Sequence, residues 1–366
     1  MPFRAVGGSF QRFASLSAST EPSRQPASAS PGPSGLFDVA TETVLVTGAT
    51  GFVGSHVLEA YQGHGVRLCA LVRKDVDAER LLLQGIPCVR GALEDNDALR
   101  EAVSSADTVL HLAAVTKARN VADYQRANVA GTQALIEAMV AAEPRPKRLI
   151  YLSSLAAVGP SLDGMPVTRE NVPKPLTAYG RTKLAGEKVC EAAGASFEVA
   201  ILRAPAVYGP RDRDVFAFFR LARHGVLPLP GGPARRLQMI HASDLARALL
   251  LAATSQRARG VYHIADARSY LWEDMARLVA DAVGSKARVV RVPAPLIAMA
   301  AGVSETVAGW FGKSTIFNRD KARELLAPGW LCETELAHRD FGFEAHIPLQ
   351  AGLAETAKWY FDHGWL

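Results

Sequence analysis

The sequence predicts an α/β protein on a doubly wound parallel sheet, with room for a smaller C-terminal lobe. Three observations predict it. Short apolar runs of strand type alternate with Ala- and Leu-rich stretches of helical length, beginning at residue 43. A glycine-rich turn joins the first run to the first helix. The chain has 366 residues, more than the ~250–300 at which a single core stops growing.

Residues 1–40 stand apart. ASLSASTEPSRQPASASPGPSG is Ser, Ala and Pro with almost nothing to bury, which predicts a disordered tail. Three Arg against two acids give it some transit-peptide character, but no apolar h-region marks a secretory signal. A dispensable leader and an import segment both remain open.

The strand-type runs are TVLVT (43–47), RLCALV (67–72), TVLHLA (108–113), RLIYLSS (148–154) and EVAILRA (198–204). Strand, helix, strand repeated with right-handed crossovers gives a parallel sheet covered on both faces. Ligands of such sheets bind beyond the carboxyl ends of the strands, where the motifs of this chain fall.

In VTGATGFVGSHVLEA, Gly48, Gly51 and Gly54 follow a strand and open a helix. Glycines there permit a tight turn and let a pyrophosphate approach bare N–H groups at the positive helix end. The second strand ends in ALVRK, with Arg73 and Lys74 where an NAD-binding chain places a carboxylate for the ribose hydroxyls. Two cations suit a 2′-phosphate, so the expected cofactor is NADP(H), with NAD as the alternative.

PLTAYGRTKLAGE (175–187) places Tyr179 and Lys183 four apart on one helix face. A nearby ammonium lowers the pKa of a phenol from its usual ~10, allowing proton exchange with an alcohol or carbonyl oxygen.

TGATGFVG, HLAA (111–114), NVAGT (128–132), YLSS (151–154), YGRTK (179–183) and RAPAVYGP (203–210) occur in the order of the extended short-chain dehydrogenase/reductases. The chain resembles that family strongly over about residues 43–265. The family includes nucleotide-sugar epimerases and dehydratases, 3β-hydroxysteroid dehydrogenases and dihydroflavonol reductases. The resemblance implies a Rossmann domain at 41–265 and a substrate lobe at 266–366, with 211–239 contributing. It implies Tyr179 as general acid/base, Lys183 as its partner and ribose ligand, and Ser154 (or else Ser153) orienting the substrate oxygen. Asn128 matches the family's helix asparagine, either catalytic or a brace. Phe52, Val53, Ala113, Ala114 and Pro205 match positions that line the cofactor, while His111 reads as a packed strand histidine.

Two departures bear on ligands. RGALED puts Ala92 where the family often has an adenine-binding Asp, leaving backbone groups or Asp95. RAPAVYGP puts Ala206, preceded by Pro205, where sugar-nucleotide enzymes carry Asn. Arg211 and Arg213 are either anion ligands or a solvated loop. Asp244 and His241 are expected to be structural. ETAKWYFDHGWL (355–366) is expected to pack on the substrate lobe, and the apolar run at 293–312 to form a buried helix rather than a membrane contact.

Composition narrows the partners. A net charge of +5 without a basic–aromatic cluster argues against nucleic acid. No clean ~20-residue apolar span predicts a membrane helix. The four cysteines show no paired spacing, which argues against disulfides or zinc and favours a reducing compartment, the cytoplasm unless the tail directs import. The resemblance implies a homodimer packed through the helix NVAGTQALIEAMVAA. The leading expectation is an oxidoreductase interconverting a secondary alcohol and a ketone on a lipid-like, terpenoid or phenolic small molecule. A nucleotide-sugar epimerase or dehydratase with tightly bound dinucleotide is the alternative. A non-catalytic family member is the third reading, weakened by the presence of Ser, Tyr and Lys together.

Overall fold

All five residues of TVLVT are buried, forming strand β1 (Thr43–Thr47). Val44 and Val46 enter one helical layer and Leu45 the other, as the two-residue period of a strand requires. The computed structural model describes residues 42–61, 65–311, 315 and 317–366; the expected tail at 1–40 lies outside the described residues.

The chain then alternates as expected: α1 (Phe52–Tyr61), β2 (Arg67–Val72), α2 (Asp75–Leu83), β3 (Cys88–Arg90), α3 (Asn96–Val103), β4 (Thr108–His111). There follow α4 (Val121–Gln125), a π-helical turn (Arg126–Ala130), α5 (Gly131–Ala141), β5 (Arg148–Ser154), α6 (Ala178–Ala192) and β6 (Glu198–Ala204). Next come β7 (Ala206–Tyr208), α7 (Phe216–Arg223), β8 (Val226–Pro230), β9 (Arg236–Leu237), β10 (Met239–His241), α8 (Ala242–Thr254) and β11 (Gly260–His263). The remainder is β12 (Tyr270–Leu271), α9 (Trp272–Ala282), β13 (Arg288–Val292), α10 (Ala294–Trp310), α11 (Arg319–Leu326), β14 (Gly329–Trp330), α12 (Glu335–Phe341) and α13 (Leu349–Asp362).

Seven strands form a parallel sheet in the order β11-β6-β5-β4-β1-β2-β3. The order reverses between β1 and β4, which opens a crevice at their carboxyl ends. One layer holds Val57, Leu58, Leu81, Leu245, Leu249 and Phe341, from α1, α2, α8 and α12. The opposite layer holds Leu99, Leu135, Met139 and Cys190, from α3, α5 and α6. The sheet is therefore wound on both faces, the predicted class.

A separate core gathers Tyr208, Phe219, Leu227, Met275, Val279 and Leu353. The C-terminal aromatic stretch closes it. Tyr360 stacks on Trp365 with centroids 5.5 Å apart, meets Phe216 edge-on at 5.0 Å, and donates its hydroxyl proton to the Asp212 carbonyl at 2.7 Å.

The run at 293–312 corrects an expectation. It does form a helix, α10, but only Ile297 and Ala301 are buried. They pack with Ala322 of α11, and the other faces of the helix stay exposed. Among the described residues no helix is long and apolar enough to cross a membrane, and no three His, Cys, Asp or Glu cluster as a metal site. Cys69, Cys88, Cys190 and Cys332 are free thiols.

Candidate active site

The first wall of the site is the turn between β1 and α1. Gly48 has φ of +76°, and a Cβ there would lie 2.7 Å from the Ala113 nitrogen beyond β4. At Gly54 a Cβ would lie 2.2 Å from the Gly48 carbonyl oxygen. Only glycine lets the two strand ends and the helix start come this close, and the result is bare backbone at a helix N-terminus. Gly51 donates its N–H to the Gly48 carbonyl at 3.0 Å, closing the turn, and Phe52 and Val53 begin α1. This cradle fits the pyrophosphate of a dinucleotide.

Its rim is set by β2 and β4. Arg73 and Lys74 follow β2 and are exposed; among the described residues neither has an acidic partner. Half-buried Ala113 and exposed Ala114 follow β4. Asp95 caps α3, its Oδ1 accepting from the N–H groups of Asp97 at 3.2 Å and Ala98 at 3.1 Å. Ala92 is half-buried just before it.

The second wall is β5 with α6. Thr177 caps α6 by accepting from the Gly180 N–H at 3.0 Å, which starts the helix two residues before Tyr179. Burial pushes the Tyr179 phenol well above its ordinary pKa; the neighbouring Ser154 hydroxyl opposes this, and Glu324 and Tyr124 add to it. Ser154 also accepts from the Ala156 N–H at 3.2 Å, which fixes its side chain. Ser153 points the other way and donates to Glu187. Ser154 is thus the serine at the tyrosine, because neighbours on a strand face opposite sides.

Lys183 is buried one helical turn beyond Tyr179. Its ammonium donates to the Leu152 carbonyl at 2.8 Å and sits 4.0 Å over the Tyr151 ring. Burial lowers its pKa to about 8, with Cys190 and Glu187 opposing the shift. The expected lowering of the phenol pKa by this lysine is not what the geometry gives: burial dominates at Tyr179, and the ammonium faces the strand carbonyl.

Asn128 lies in the π-helical turn, a feature common at functional sites. Its Oδ1 accepts from the Val115 N–H at 2.8 Å; its Nδ2 donates to the Val115 carbonyl at 3.0 Å and to the Thr182 hydroxyl at 3.2 Å. The amide clamps the segment after Ala114 to α6. His111 is enclosed between Thr47, at 2.7 Å, and Thr132, at 2.9 Å, and burial lowers its pKa to about 3. It is the packed histidine expected.

Pro205 is half-buried directly after β6, and Ala206 is exposed. Arg211 makes a two-point pair with Glu59 of α1, at 2.6 and 2.7 Å, and Arg213 lies 5.4 Å over Trp365. Arg211 is thus engaged by a carboxylate, whereas Arg213 has no acidic partner among the described residues. Asp244 accepts from the N–H groups of His346 and Ile347, and His241 caps α8; both serve the fold.

Sequence reasoning missed the far side of the cleft. Asp320 of α11 accepts from the Ala178 N–H at 2.7 Å, so a carboxylate 142 residues away caps the helix carrying Tyr179. Tyr124 places its ring 6.3 Å from that of Tyr179, and Lys117 pairs with Asp214. No local signal marks these, because their partners are distant in sequence. A shallow depression of about 580 Å³ near Lys147, Glu191 and Arg259 lies at the amino ends of the strands and holds none of these groups.

Residues 44–265 match the NAD dependent epimerase/dehydratase family. The chain is 34% identical over 326 residues to "Ceramide reductase" of Caulobacter vibrioides, covering 88% of this chain and 96% of that one. It is 27% identical over 323 residues to "4-hydroxy-2-methyl-3-oxo-4-farnesyl-3,4-dihydroquinoline-1-oxide ketoreductase" of Stigmatella aurantiaca, covering 84% and 94%. Among solved structures it resembles "MoeE5 in complex with UDP-glucose and NAD", with a TM-score of 0.69, 26% identity, and coverage of 88% and 99%.

Proposed function

The chain belongs to the NAD dependent epimerase/dehydratase family, and on that premise we propose that it is a ketone reductase acting on a lipid-like substrate. It is an oxidoreductase-type enzyme of this family, related to proteins named reductase, ketoreductase and epimerase. The glycine turn at Gly48, Gly51 and Gly54 would hold the dinucleotide pyrophosphate, with Phe52, Val53, Ala113, Ala114 and Pro205 along its path. Arg73 and Lys74 support a 2′-phosphate, hence NADP(H). When bound, the dinucleotide supplies or accepts the hydride.

The chain's own residues handle the oxygen and its proton. The Ser154 and Tyr179 hydroxyls are neighbours and would hold one substrate oxygen between them. Because burial keeps the phenol protonated at neutral pH, Tyr179 acts as general acid, giving its proton to the carbonyl oxygen as that oxygen gains negative charge. Lys183, on the same helix face, would hold the nicotinamide ribose, as the resemblance to the family implies. Asn128 keeps the loop and helix in register throughout.

One observation carries the choice of substrate. Three of the cations around the cleft are already engaged, Lys117 by Asp214, Arg211 by Glu59 and Lys321 by Glu324, and Arg213 lies over the Trp365 ring. With exposed Ala206 at the position expected to read a sugar or phosphate, little remains to grip a diphosphate. The names of two relatives, one a ceramide enzyme and one acting on a farnesyl-bearing ketone, support the same reading. The likeness to MoeE5, solved with UDP-glucose and NAD, favours the alternative of a nucleotide-sugar epimerase or dehydratase.

The test follows NADPH absorbance with a long-chain ketone, beside thermal shifts with UDP- and dTDP-sugars. Net NADPH consumption that Tyr179→Phe slows ~10²–10⁴-fold is expected. A shift with a sugar nucleotide, and no net cofactor turnover with ketones, would move the assignment to the alternative.

A further inference from the structure

Helix α10 carries an exposed apolar stripe that the described residues leave uncovered. Leu296, Met299, Val303, Val307, Trp310 and Phe311 are all exposed, with Met299 at 61% and Trp310 at 80%. At 100° per residue they fall within about 120° of one helix face. The buried residues, Ile297 and Ala301, lie to one side of that arc. A helix apolar on nearly every face belongs in a core or against an apolar phase, and here one face meets neither.

The neighbouring charges say what covers it. The stretch from residue 282 to 304 contains Lys286, Arg288 and Arg291 and no Asp or Glu. Strand β13 presents exposed Arg288, Val289, Val290 and Arg291 and leads through Pro293 directly into α10. Ser285 donates to the Ala222 carbonyl at 2.6 Å, which brings Lys286 to the end of α7 with Arg220 and Arg223. Among the described residues none of Arg220, Arg223, Lys286 and Arg288 has an acidic partner. Of the bordering carboxylates, Glu273 is matched by Arg291 at 2.9 Å and Glu305 by Arg319 at 4.0 Å, while exposed Asp281 has no cationic partner among the described residues.

We propose that α10 and β13 form a docking surface for an anionic lipid bilayer, with the α10 stripe in the headgroup–acyl boundary and the cations against the headgroups. An in-plane helix with Trp, Leu and Val on one side and basic residues beside it has this chemistry. A second copy of the chain fits less well. A two-fold contact sets a patch against itself, so the basic border would meet its own charges. The surface also adjoins the active site. Ile297 and Ala301 pack on Ala322 of α11, and Asp320 of α11 caps the helix bearing Tyr179. A lipid-like ketone would then enter from the bilayer beside the cleft. The docking stands apart from the reaction assignment, since it is read as binding and not as turnover.

The test is sedimentation of the full chain with phosphatidylcholine vesicles containing about 30% phosphatidylglycerol, and with phosphatidylcholine alone, in about 50 mM salt. At least about tenfold stronger partition onto the anionic vesicles is expected, weakening as salt rises. Met299→Glu with Val303→Glu, and separately Lys286→Glu with Arg288→Glu, should each reduce partition about tenfold or more. All four positions are exposed, so the melting temperature and its NADPH-induced shift should not change. Wild-type protein that stays in the supernatant, or variants that sediment like wild type, would overturn the proposal. So would light scattering that shows Met299→Glu with Val303→Glu splitting a dimer while vesicles bind neither form, because a second copy would then be the occupant.

Discussion

Glu187 of α6 and Arg203 of β6 form a two-point ion pair in the interior: Nε lies 3.0 Å from Oε1 and Nη2 2.7 Å from Oε2. Both residues are buried, and Ser153 adds its hydroxyl to the same carboxylate. The pair ties the helix that carries Tyr179 and Lys183 to the sheet. Breaking it with Glu187→Gln leaves a buried guanidinium uncompensated and should cost about 3–5 kcal/mol. Replacing both partners by Met should cost less than either single change. Urea denaturation decides; a loss below about 1 kcal/mol for Glu187→Gln would show that the pair does not anchor α6.

Adjacent serines should separate cleanly. Ser154→Ala removes the hydroxyl beside Tyr179 and is expected to lower kcat about ten- to a hundredfold, with little change in Tm. Ser153→Ala removes a hydrogen bond to a buried carboxylate and should cost about 1.5–3 kcal/mol of stability while kcat changes little. Measured kcat and Tm for both variants test this, and exchanged effects would reverse the two roles.

Cofactor choice should rest on the end of β2. Arg73→Ala is expected to raise the KM for NADPH about tenfold, equal to about 1.4 kcal/mol, and leave the KM for NADH nearly unchanged. Equal effects on the two cofactors would remove Arg73 from 2′-phosphate recognition.

Acid should destabilise the fold before it protonates most carboxylates. Burial lowers His111 to about 3 and His241 and His263 to about 4. Between those values and the unfolded ~6.5, the unfolded chain binds more protons, so stability is lost as pH falls through this window. At pH 5.5 each contributes a loss of about 1.4 kcal/mol. Asp212, raised to about 6 by burial, works in the opposite sense and offsets part of it. Calorimetry should find Tm several degrees lower at pH 5.5 than at pH 7; an unchanged Tm would mean these imidazoles are protonated in the fold.

Much of the site was legible because it is written in local periods. RLIYLSS and EVAILRA coincide with β5 and β6 to the residue, since strand alternation is fixed by covalent geometry. The glycine turn and the Tyr179–Lys183 spacing follow from a helix start and a 3.6-residue repeat, which any seven-residue window carries. The choice of Ser154 over Ser153 rests on the resemblance to the family's motif, since strand parity says only that the two serines face opposite sides.

What the tertiary structure decided is which groups meet. Glu59 and Arg211 are 152 residues apart and Asp320 and Ala178 are 142 apart, so no sequence window contains both members of either pair. The lysine's hold on the Leu152 carbonyl, and the burial that raises the phenol, likewise exist only once the sheet and helices close around them. The segment at 293–312 makes the limit plain. Its apolar residues determine a helix, but a helix apolar on nearly every side carries no moment to say which face is covered. Only packing against α11 shows that one narrow face is buried and a broad one is left open.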